Sequence, residues 1–220
     1  MNPEKAWNYG LNFIHNFRIN GHKGSIAFDV YHTEFTNQTV VDLDANPQSI
    51  LFYNLTGKSY SNSIQTELNY ELAPKFDLRI AYRWLDVKTN YKNGLLEKPF
   101  TANHRAFINL GYETQNKWKF DYTIQWLSKK RIPNTNGNPA VFQMEEYSPS
   151  YFQMAAQVSK SLNKKLELYL GGENLTNFVQ MHRIIDAKNP FGQYFDGSMT
   201  WGPVVGRMIY IGARFSIPSK

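Results

Sequence analysis

The sequence predicts an all-β protein, an antiparallel transmembrane β-barrel of about nine strands. Three observations support this prediction: apolar residues alternate with polar ones along successive segments, turn signals separate the segments, and short connections alternate with long ones. Composition agrees, because aromatic residues reach 15% and charged residues only 19%, while the mean hydropathy is −0.51. A polar average with many aromatic residues is typical of strands that have one apolar and one polar face.

The first two segments form the clearest hairpin. In the first, apolar residues occupy the odd positions from Trp7 to Phe13, and Asn or Gly occupies the even ones. In the second, the even positions from Ile26 to Val30 are apolar. Asn20-Gly21 lies between the two segments, and both residue types tolerate a positive φ angle, so the pattern predicts a tight hairpin turn.

The same period of two recurs in later segments and brings the predicted number of strands to nine. The last of these strands is predicted over Arg207 to Ile217. The apolar series of the later segments are Ile64 to Leu72, Leu78 to Trp84, His104 to Tyr112, Phe120 to Trp126, Phe152 to Val158, Leu166 to Leu170, and Ile209 to Phe215.

The connections between the predicted strands are of two kinds. Tight turns lie near residues 20, 74, 116 and 162, whereas the connections that alternate with them, 36–59, 88–103, 129–150 and 175–206, are long and rich in Asn, Pro, Gly, Lys and Thr. Short turns at one end and long loops at the other are typical of outer-membrane barrels. Strands of about 11 residues, tilted by ~40°, climb roughly 27 Å, which matches the ~25 Å apolar band of such barrels.

Aromatic residues lie near the predicted strand ends, where outer-membrane barrels carry aromatic girdles, although Tyr and Phe are also good strand formers in general. A helical membrane protein is excluded, because the longest apolar run, Met208 to Ala213, has about six residues and a spanning helix needs roughly 18. The lack of cysteine excludes disulfides and thiolate metal sites. The candidate girdle residues are Trp7, Tyr9, Tyr70, Trp84, Tyr112 and Trp126.

Two stretches of the chain carry a resemblance to a known family. One is Tyr31 to Asp42, continued by Phe52 to Leu55 and Lys58 to Ser63. The other is Leu168 to Phe178, whose Gly-Gly-Glu-Asn-Leu-Thr-Asn segment is the most specific element, followed by Trp201-Gly202-Pro203. Over essentially all of its length, the sequence resembles the C-terminal barrel of TonB-dependent outer-membrane receptors.

This resemblance implies that residues 1–220 are the C-terminal part of a 22-stranded receptor barrel, without its plug domain and N-terminal barrel strands. Counting agrees, because 22 strands at ~24 residues each need roughly 530 residues. Nine is also an odd number, whereas bacterial single-chain barrels have even numbers of strands. Met1 to Lys5 lacks the apolar region of a signal peptide, so we expect a truncated reading frame or a fragment.

The resemblance also implies a place in the outer membrane of a Gram-negative bacterium and a part in TonB-dependent, energy-coupled uptake of a scarce nutrient, whether a siderophore, cobalamin, a glycan or a peptide. The implied partners are outer-membrane lipid and lipopolysaccharide, the barrel assembly machinery, the TonB complex through the missing N-terminal part, and a surface lipoprotein. Two other classes stay open. One is a small self-contained outer-membrane barrel, protease or porin-like, and the other is a soluble β-barrel binding module.

No catalytic, cofactor or metal motif emerges from the sequence. The five histidines show no metal-ligand spacing. Gly202 to Arg207 lacks the spacing and the Lys-Ser/Thr ending of a phosphate-binding loop. We therefore expect no enzyme activity, no cofactor and no bound metal.

The formal charge of +6 and the pI near 9.3 come from dispersed basic residues, which argues against nucleic acid as a partner. Lys129-Lys130-Arg131 belongs to a predicted charged rim that either meets lipopolysaccharide phosphates or keeps the strand ends solvated. Charged residues on the polar parity are expected to face the barrel lumen and to need partners there. They are Asp29, Glu67, Glu71, Arg79, Arg83, Arg105, Glu113, Lys119, Asp121, Glu167, Glu173 and Arg214.

Two groups of functional residues follow from the resemblance. Such receptors contact their substrates through loop and plug residues that face the outer vestibule, and they are recognised for assembly by a final strand that ends in an aromatic residue. Phe215 is the matching terminal aromatic residue, and pairing is expected to end by Ile217 because Pro218 cannot donate a ladder hydrogen bond. The candidate substrate contacts are Phe142, Tyr147, Tyr194, Phe195 and Trp201.

Overall fold

The computed structural model describes residues 2–217, within which it contains twelve β-strands and one short 3₁₀ helix at Ala140–Phe142. The strands are β1 (Lys5–Ile19), β2 (His22–Asn37), β3 (Thr39–Asp42), β4 (Leu51–Asn54), β5 (Ser59–Ala73), β6 (Phe76–Tyr91), β7 (Gly94–Glu97), β8 (His104–Glu113), β9 (Trp118–Leu127), β10 (Tyr151–Ser161), β11 (Leu166–Glu173) and β12 (Met208–Phe215). No helix in this part of the chain has the length and apolar character needed to cross a membrane.

Nine of these strands form one antiparallel meander in the order β1-β2-β5-β6-β8-β9-β10-β11-β12. Strand β7 pairs with the end of β6, and β3 and β4 form a separate two-stranded hairpin. The predicted all-β antiparallel fold and the nine long strands are therefore confirmed. β12 is shorter than expected, since it ends at Phe215, and Pro218 lies outside the residues that the structure describes.

The tight turns form where the sequence predicts them. Asn20 and Gly21 have φ angles of 53° and 83°, which is the left-handed conformation that a two-residue hairpin of this kind requires. Lys75 and Lys117, in the next two tight turns, have φ angles of 63° and 61°. Because every strand of the meander reverses direction, these turns lie at one end of the sheet and the long loops lie at the other.

The strand register places the apolar positions of neighbouring strands on the same face of the sheet. Ile80 lies opposite both Leu68 and Ile108, and Ile108 in turn lies opposite Ile124. This apolar face is open, and Ile211 on β12 keeps 83% of its side-chain surface exposed. A continuous exposed apolar face of this extent is typical of the lipid-facing side of a membrane sheet.

The opposite face carries the charged residues, and three of its basic side chains have a carboxylate partner. Arg79 pairs with Glu67 at 2.8 Å. Glu167 receives Lys119 at 2.9 Å and Arg214 at 2.6 Å, one on each carboxylate oxygen. The expectation that charges on this face need partners is confirmed for these residues.

The long loops contain more regular structure than the sequence analysis expects. The connection predicted over 36–59 contains the β3–β4 hairpin, and the one predicted over 88–103 contains β7. Strand β6 runs on to Tyr91, well beyond the predicted end of its alternation at Trp84, because it pairs with β5 as far as Lys88 and then with β7. Backbone pairing between loop segments, which a local pattern does not reveal, produces these strands.

Most of the buried core of the described residues lies among the loops and at the ends of the strands next to them. One cluster of buried apolar residues contains Ile132, Tyr151, Ile185, Met199 and Trp201. A second cluster contains Val40, Leu55 and Tyr91. Both lie at the loop end of the meander, so the long loops pack into an ordered cap.

The two faces of the sheet predict losses of stability of different size when a charged side chain is introduced. Ile124 lies on the apolar face between Ile108 and Met154. Ile124→Arg should lower the free energy of unfolding of the membrane-embedded protein by about 2–4 kcal/mol, the cost of Arg near the midplane of a barrel's lipid face. Chemical denaturation in lipid vesicles, followed by tryptophan fluorescence, measures the change.

The neighbouring residue Thr123 provides the control. Its side chain lies on the polar face, where its hydroxyl accepts a hydrogen bond of 2.8 Å from Asn109. Thr123→Arg loses this hydrogen bond but places the charge on the polar side, so the loss should be about 1 kcal/mol. Equal losses for the two variants would show that the faces are assigned incorrectly.

Candidate functional site

The candidate site is the cap formed by the four long connections of the meander. These are the first loop (residues 38–58), the second loop (92–103), the third loop (128–150) and the fourth loop (174–207). All four emerge from the same end of the sheet, and two consecutive basic residues at the start of the third loop hold them together.

Arg131 connects the third loop to the first and the second. Its guanidinium donates to both carboxylate oxygens of Asp44, at 2.7 Å and 2.9 Å, and its Nε donates to the carbonyl oxygen of Glu97 at 2.6 Å. Both side chains of the ion pair are buried, at 8% and 2% exposure. Burial alone would lower the pKa of Arg131, but the hydrogen bonds and charge of Asp44 outweigh it and raise the pKa.

Lys130 connects the third loop to the fourth. Its Nζ donates to the hydroxyl of Tyr151 at 3.1 Å and to the carbonyl oxygen of Trp201. Among the described residues, no carboxylate pairs with this buried ammonium group. Burial lowers the pKa of Lys130, and the nearby positive charge of Arg105 lowers it further.

The predicted charged rim is therefore wrong for Lys130 and Arg131, each of which is only 7% exposed. The loops fold back over the end of the sheet and enclose both residues. Lys129 differs from them, because its ammonium group lies on the ring of Tyr147, 4.1 Å from the ring centre.

The fourth loop is closed by two polar side chains in its interior. The amide group of Asn174 donates to the carbonyl oxygens of Phe178 and Val205 and accepts the backbone N–H of Phe178. Gln180 is 1% exposed, donates to the carbonyl oxygen of Met199, and accepts the backbone N–H of Trp201 at 2.8 Å. The Gly-Gly-Glu-Asn-Leu-Thr-Asn segment thus has a structural task in closing this loop, and Gln180, which the sequence analysis missed, completes it.

An aromatic cluster fills the space beneath the fourth loop. Tyr151 and Phe178 stack with their ring centres 4.5 Å apart and their planes 3° from parallel. Trp201 packs against both rings at centre distances of 6.3 Å and 6.2 Å. Since Trp201 is 7% exposed, its ring lies within the cap, and little of it is available at the surface.

The structure brings together some of the predicted site residues and separates others. Phe142 of the third loop and Tyr194 of the fourth loop stack at 5.2 Å. Tyr147 and Trp201 line a common cavity of about 760 Å³ between the same two loops. Phe195 lies on the fourth loop outside this cavity and is partly exposed.

The cavity between the third and fourth loops has a mixed lining. Acidic and imidazole groups come from Glu145, Glu146 and His182, and thioethers come from Met144 and Met181. Within residues 2–217, no group of three or more His, Asp or Glu side chains has the arrangement of a metal site. The cavity can therefore surround a solute with apolar, aromatic and polar contacts.

A buried carboxylate stabilises the first loop. Asp42 accepts hydrogen bonds from the Tyr53 hydroxyl at 2.6 Å and from the backbone N–H groups of Asp44 and Ala45. Burial alone would raise the pKa of Asp42, but these hydrogen bonds outweigh it and hold the pKa below its ordinary value. Burial and the hydrogen bond to Asp42 raise the pKa of Tyr53 to about 12.

Comparison with known families gives one match. The sequence model described as "TonB dependent receptor-like, beta-barrel" matches residues 1–175, which is most of the chain. A search of curated protein sequences gives no significant match.

Comparison with solved structures gives several chains of similar fold at low sequence identity. The ferric-catecholate import receptor Fiu from E. coli K12 is 12% identical, with a TM-score of 0.65 over 97% of this chain and 28% of that chain. FpvA from P. aeruginosa, bound to pyoverdine, is 16% identical, with a TM-score of 0.64 over 97% and 27%. The copper transporter OprC is 16% identical, with a TM-score of 0.67 over 98% and 32%. The present chain thus spans less than a third of the length of each.

Removing the Arg131 side chain should loosen three loops at once. Arg131→Met leaves the carboxylate of Asp44 buried without its partner, and breaking a buried pair in this way costs about 3–5 kcal/mol. We expect faster hydrogen exchange at the backbone amides of the first, second and third loops in the intact protein, measured by mass spectrometry, while the sheet amides change little.

Two variants control this prediction. Arg131→Met combined with Asp44→Leu removes both charges and should recover part of the protection. Lys58→Met breaks the exposed ion pair with Glu34, which is 2.6 Å long, and should leave loop exchange nearly unchanged. If the Lys58 variant exchanged as fast as the Arg131 variant, the burial of the Arg131 pair would not be what orders the cap.

The raised pKa of Tyr53 predicts that the stability of the first loop depends on pH in the alkaline range. A folded-state pKa of about 12, against ~10 in the unfolded chain, stabilises the first loop fully below pH ~10, and this stabilisation is lost as the pH rises through about 12. Comparing the tyrosinate absorbance of the wild type with that of Tyr53→Phe isolates this residue. If the absorbance difference between the two proteins showed its transition near pH 10, the hydrogen bond from Tyr53 to Asp42 would be contradicted.

Proposed function

Because the chain belongs to the TonB-dependent receptor-like β-barrel family, we propose that its 220 residues form the C-terminal part of an outer-membrane receptor barrel. The receptor takes up a scarce nutrient in a Gram-negative bacterium, and the TonB complex supplies the energy. The observation that supports this proposal most directly is the nine-stranded antiparallel sheet with an open apolar face and all four long loops packed together at one end.

The two edges of the sheet also favour the interpretation that the chain is part of a larger barrel and not a small self-contained one. Within residues 2–217, β1 pairs only with β2 and β12 pairs only with β11, so the two edge strands do not meet. An unpaired edge is unfavourable in a membrane, since each free backbone group lacks a hydrogen-bond partner there. The remaining strands of the receptor would pair with these two edges and close the barrel.

The loop cap is the proposed outer vestibule. Tyr147, lining the 760 Å³ cavity, and the stacked pair of Phe142 and Tyr194 are the proposed substrate contacts, together with Phe195. Trp201 would support this surface from beneath. The solved receptors of similar fold include ferric-catecholate, pyoverdine and copper receptors, so an iron siderophore or another scarce metal species is the first class of nutrient to test.

The proposed partners follow from the same assignment. The apolar face would contact outer-membrane lipid, and the exposed lysines of the loops would contact lipopolysaccharide phosphates. The barrel assembly machinery, the TonB complex and a surface lipoprotein are the proposed protein partners. One solved structure of similar fold is a complex of FpvAI with pyocin S2.

A growth and uptake experiment tests the proposed function. The gene of the intact receptor is deleted, and uptake of radiolabelled nutrients from each class is measured under limitation, with and without TonB. We expect one nutrient class to be lost with the deletion and with loss of TonB. Uptake that persists without TonB would contradict the proposal.

A loop variant tests the proposed substrate contacts in the same assay. Tyr194→Ala removes the stack with Phe142, and an aromatic contact contributes about 0.5–1.5 kcal/mol, so the half-saturating concentration should rise about two- to tenfold. Phe120→Ala, on the lipid face of β9, is the matched control and should leave it unchanged. An unchanged value for both variants would place the substrate elsewhere.

Phe215 is the proposed assembly signal of the final strand. It lies opposite Leu166 at the last paired position of β12, with its ring exposed on the apolar face. Phe215→Ala in the intact receptor should sharply lower its amount in the outer membrane, whereas deletion of residues 218–220 should change it little. Membrane fractionation and blotting would decide this, and normal amounts of Phe215→Ala would show that the signal lies elsewhere.

A further inference from the structure

Two arginines face each other on the polar side of the sheet, close to the loop cap. Arg83 of β6 lies directly opposite Arg105 of β8 in the strand register, and Arg105 is the second residue of its strand. Side chains at directly opposite positions have Cβ atoms about 4.5–5.5 Å apart, and like charges in such a pair destabilise the sheet. Both side chains are exposed, and a negative charge bound between them would offset the repulsion.

The described residues do not supply that charge. The side chains of Arg83 and Arg105 make no hydrogen bond or ion pair within residues 2–217, whereas Arg79, Lys119 and Arg214 on the same face each have a carboxylate partner. The neighbours of the pair along the same row are Gln65 on one side and Leu127 on the other, and neither is charged.

A third cation lies at the same end of the polar face. Lys130 donates to the hydroxyl of Tyr151, which occupies the same row as Arg105, one strand beyond Leu127. It lies close enough to Arg105 for the two charges to interact. Arg83, Arg105 and Lys130 thus concentrate positive charge beneath the loop cap.

A cavity of about 210 Å³ opens between the two arginines. Gln65 and Gln125 also line it, and their side chains carry amide groups that can donate hydrogen bonds. Glu67 also lines it, but its carboxylate is already occupied by Arg79 and by the amide group of Asn69, at 2.8 Å and 2.9 Å.

We propose that Arg83 and Arg105 form a binding site for an oxyanion of the carboxylate or phosphate type on the lumen wall of the barrel. Two guanidinium groups with planar, paired donors match the oxygen atoms of such a group, and flanking amides add neutral donors. The inference rests on the proposed function, because it requires this face to line a receptor lumen. The oxyanion belongs either to a solute that has passed the loop cap or to an acidic side chain of the receptor outside residues 1–220.

The first arm of the test measures a free anion on the purified full-length receptor in detergent. Citrate and inorganic phosphate are titrated at constant ionic strength, and the thermal unfolding midpoint is recorded. If the anion is a solute, the midpoint rises with saturation. Loss of one charged hydrogen-bonding group should then raise the half-saturating concentration about tenfold or more in Arg83→Gln and in Arg105→Gln, and the double variant should not respond. Arg214→Gln removes an arginine that is paired with Glu167 on the same face and does not line the cavity, so it is the matched control and should respond like the wild type.

The second arm detects a carboxylate that belongs to the receptor itself. Arg105→Lys keeps the charge and introduces an amine that a carbodiimide joins to a carboxylate in contact with it, and mass spectrometry identifies the joined peptides. Arg79→Lys, beside Glu67, is the positive control for the reaction. A link from position 105 to an Asp or Glu outside residues 1–220 supports the proposal and identifies the source.

Two outcomes overturn the proposal. One is the absence of both a saturable anion response and a link outside residues 1–220, while the Arg79→Lys control reacts with Glu67. The other is an anion response that the double variant retains in full. Because both arms use purified protein and no transport assay, these outcomes are independent of whether uptake requires TonB.

Discussion

Two consecutive buried basic residues, Lys130 and Arg131, determine the organisation of the loop end of this protein. Arg131 is held by Asp44 of the first loop and the carbonyl oxygen of Glu97 in the second, and Lys130 is held by groups on β10 and the fourth loop. The four long connections therefore share one polar centre, in addition to their apolar and aromatic contacts. A buried ion pair adds little net stability, but it excludes loop arrangements that leave its charges unpaired.

The distribution of apolar side chains is inverted relative to a soluble domain. The sheet leaves its apolar face open and contains little buried core, whereas both buried clusters lie among the loops. Lipid covers the sheet, so burial within the protein is needed only where the chain leaves the membrane. The cap consequently has its own packed interior and can present a defined surface and cavity to a solute.

The polar face is under a different constraint, because its charged side chains need partners of opposite charge within a lumen. Several of its cations have carboxylate partners on neighbouring strands, such as Arg79 with Glu67. Arg83 and Arg105 depart from this pattern, and they do so directly beneath the cap. These two arginines, for which the described residues supply no carboxylate partner, thus lie next to the loops through which a solute would enter.

The sequence by itself determined the antiparallel fold, the two faces of the nine long strands and the tight turns such as Asn20-Gly21, because alternation and turn chemistry are local properties. It placed Phe142 and Tyr194 in loops but could not show that they stack, and it put Lys130 and Arg131 on an exposed rim. Their burial depends on Asp44 and Trp201, which are 87 and 71 residues away in the chain. Only the tertiary structure could decide such contacts, since they arise from how long loops pack together and leave no periodic signal in the sequence.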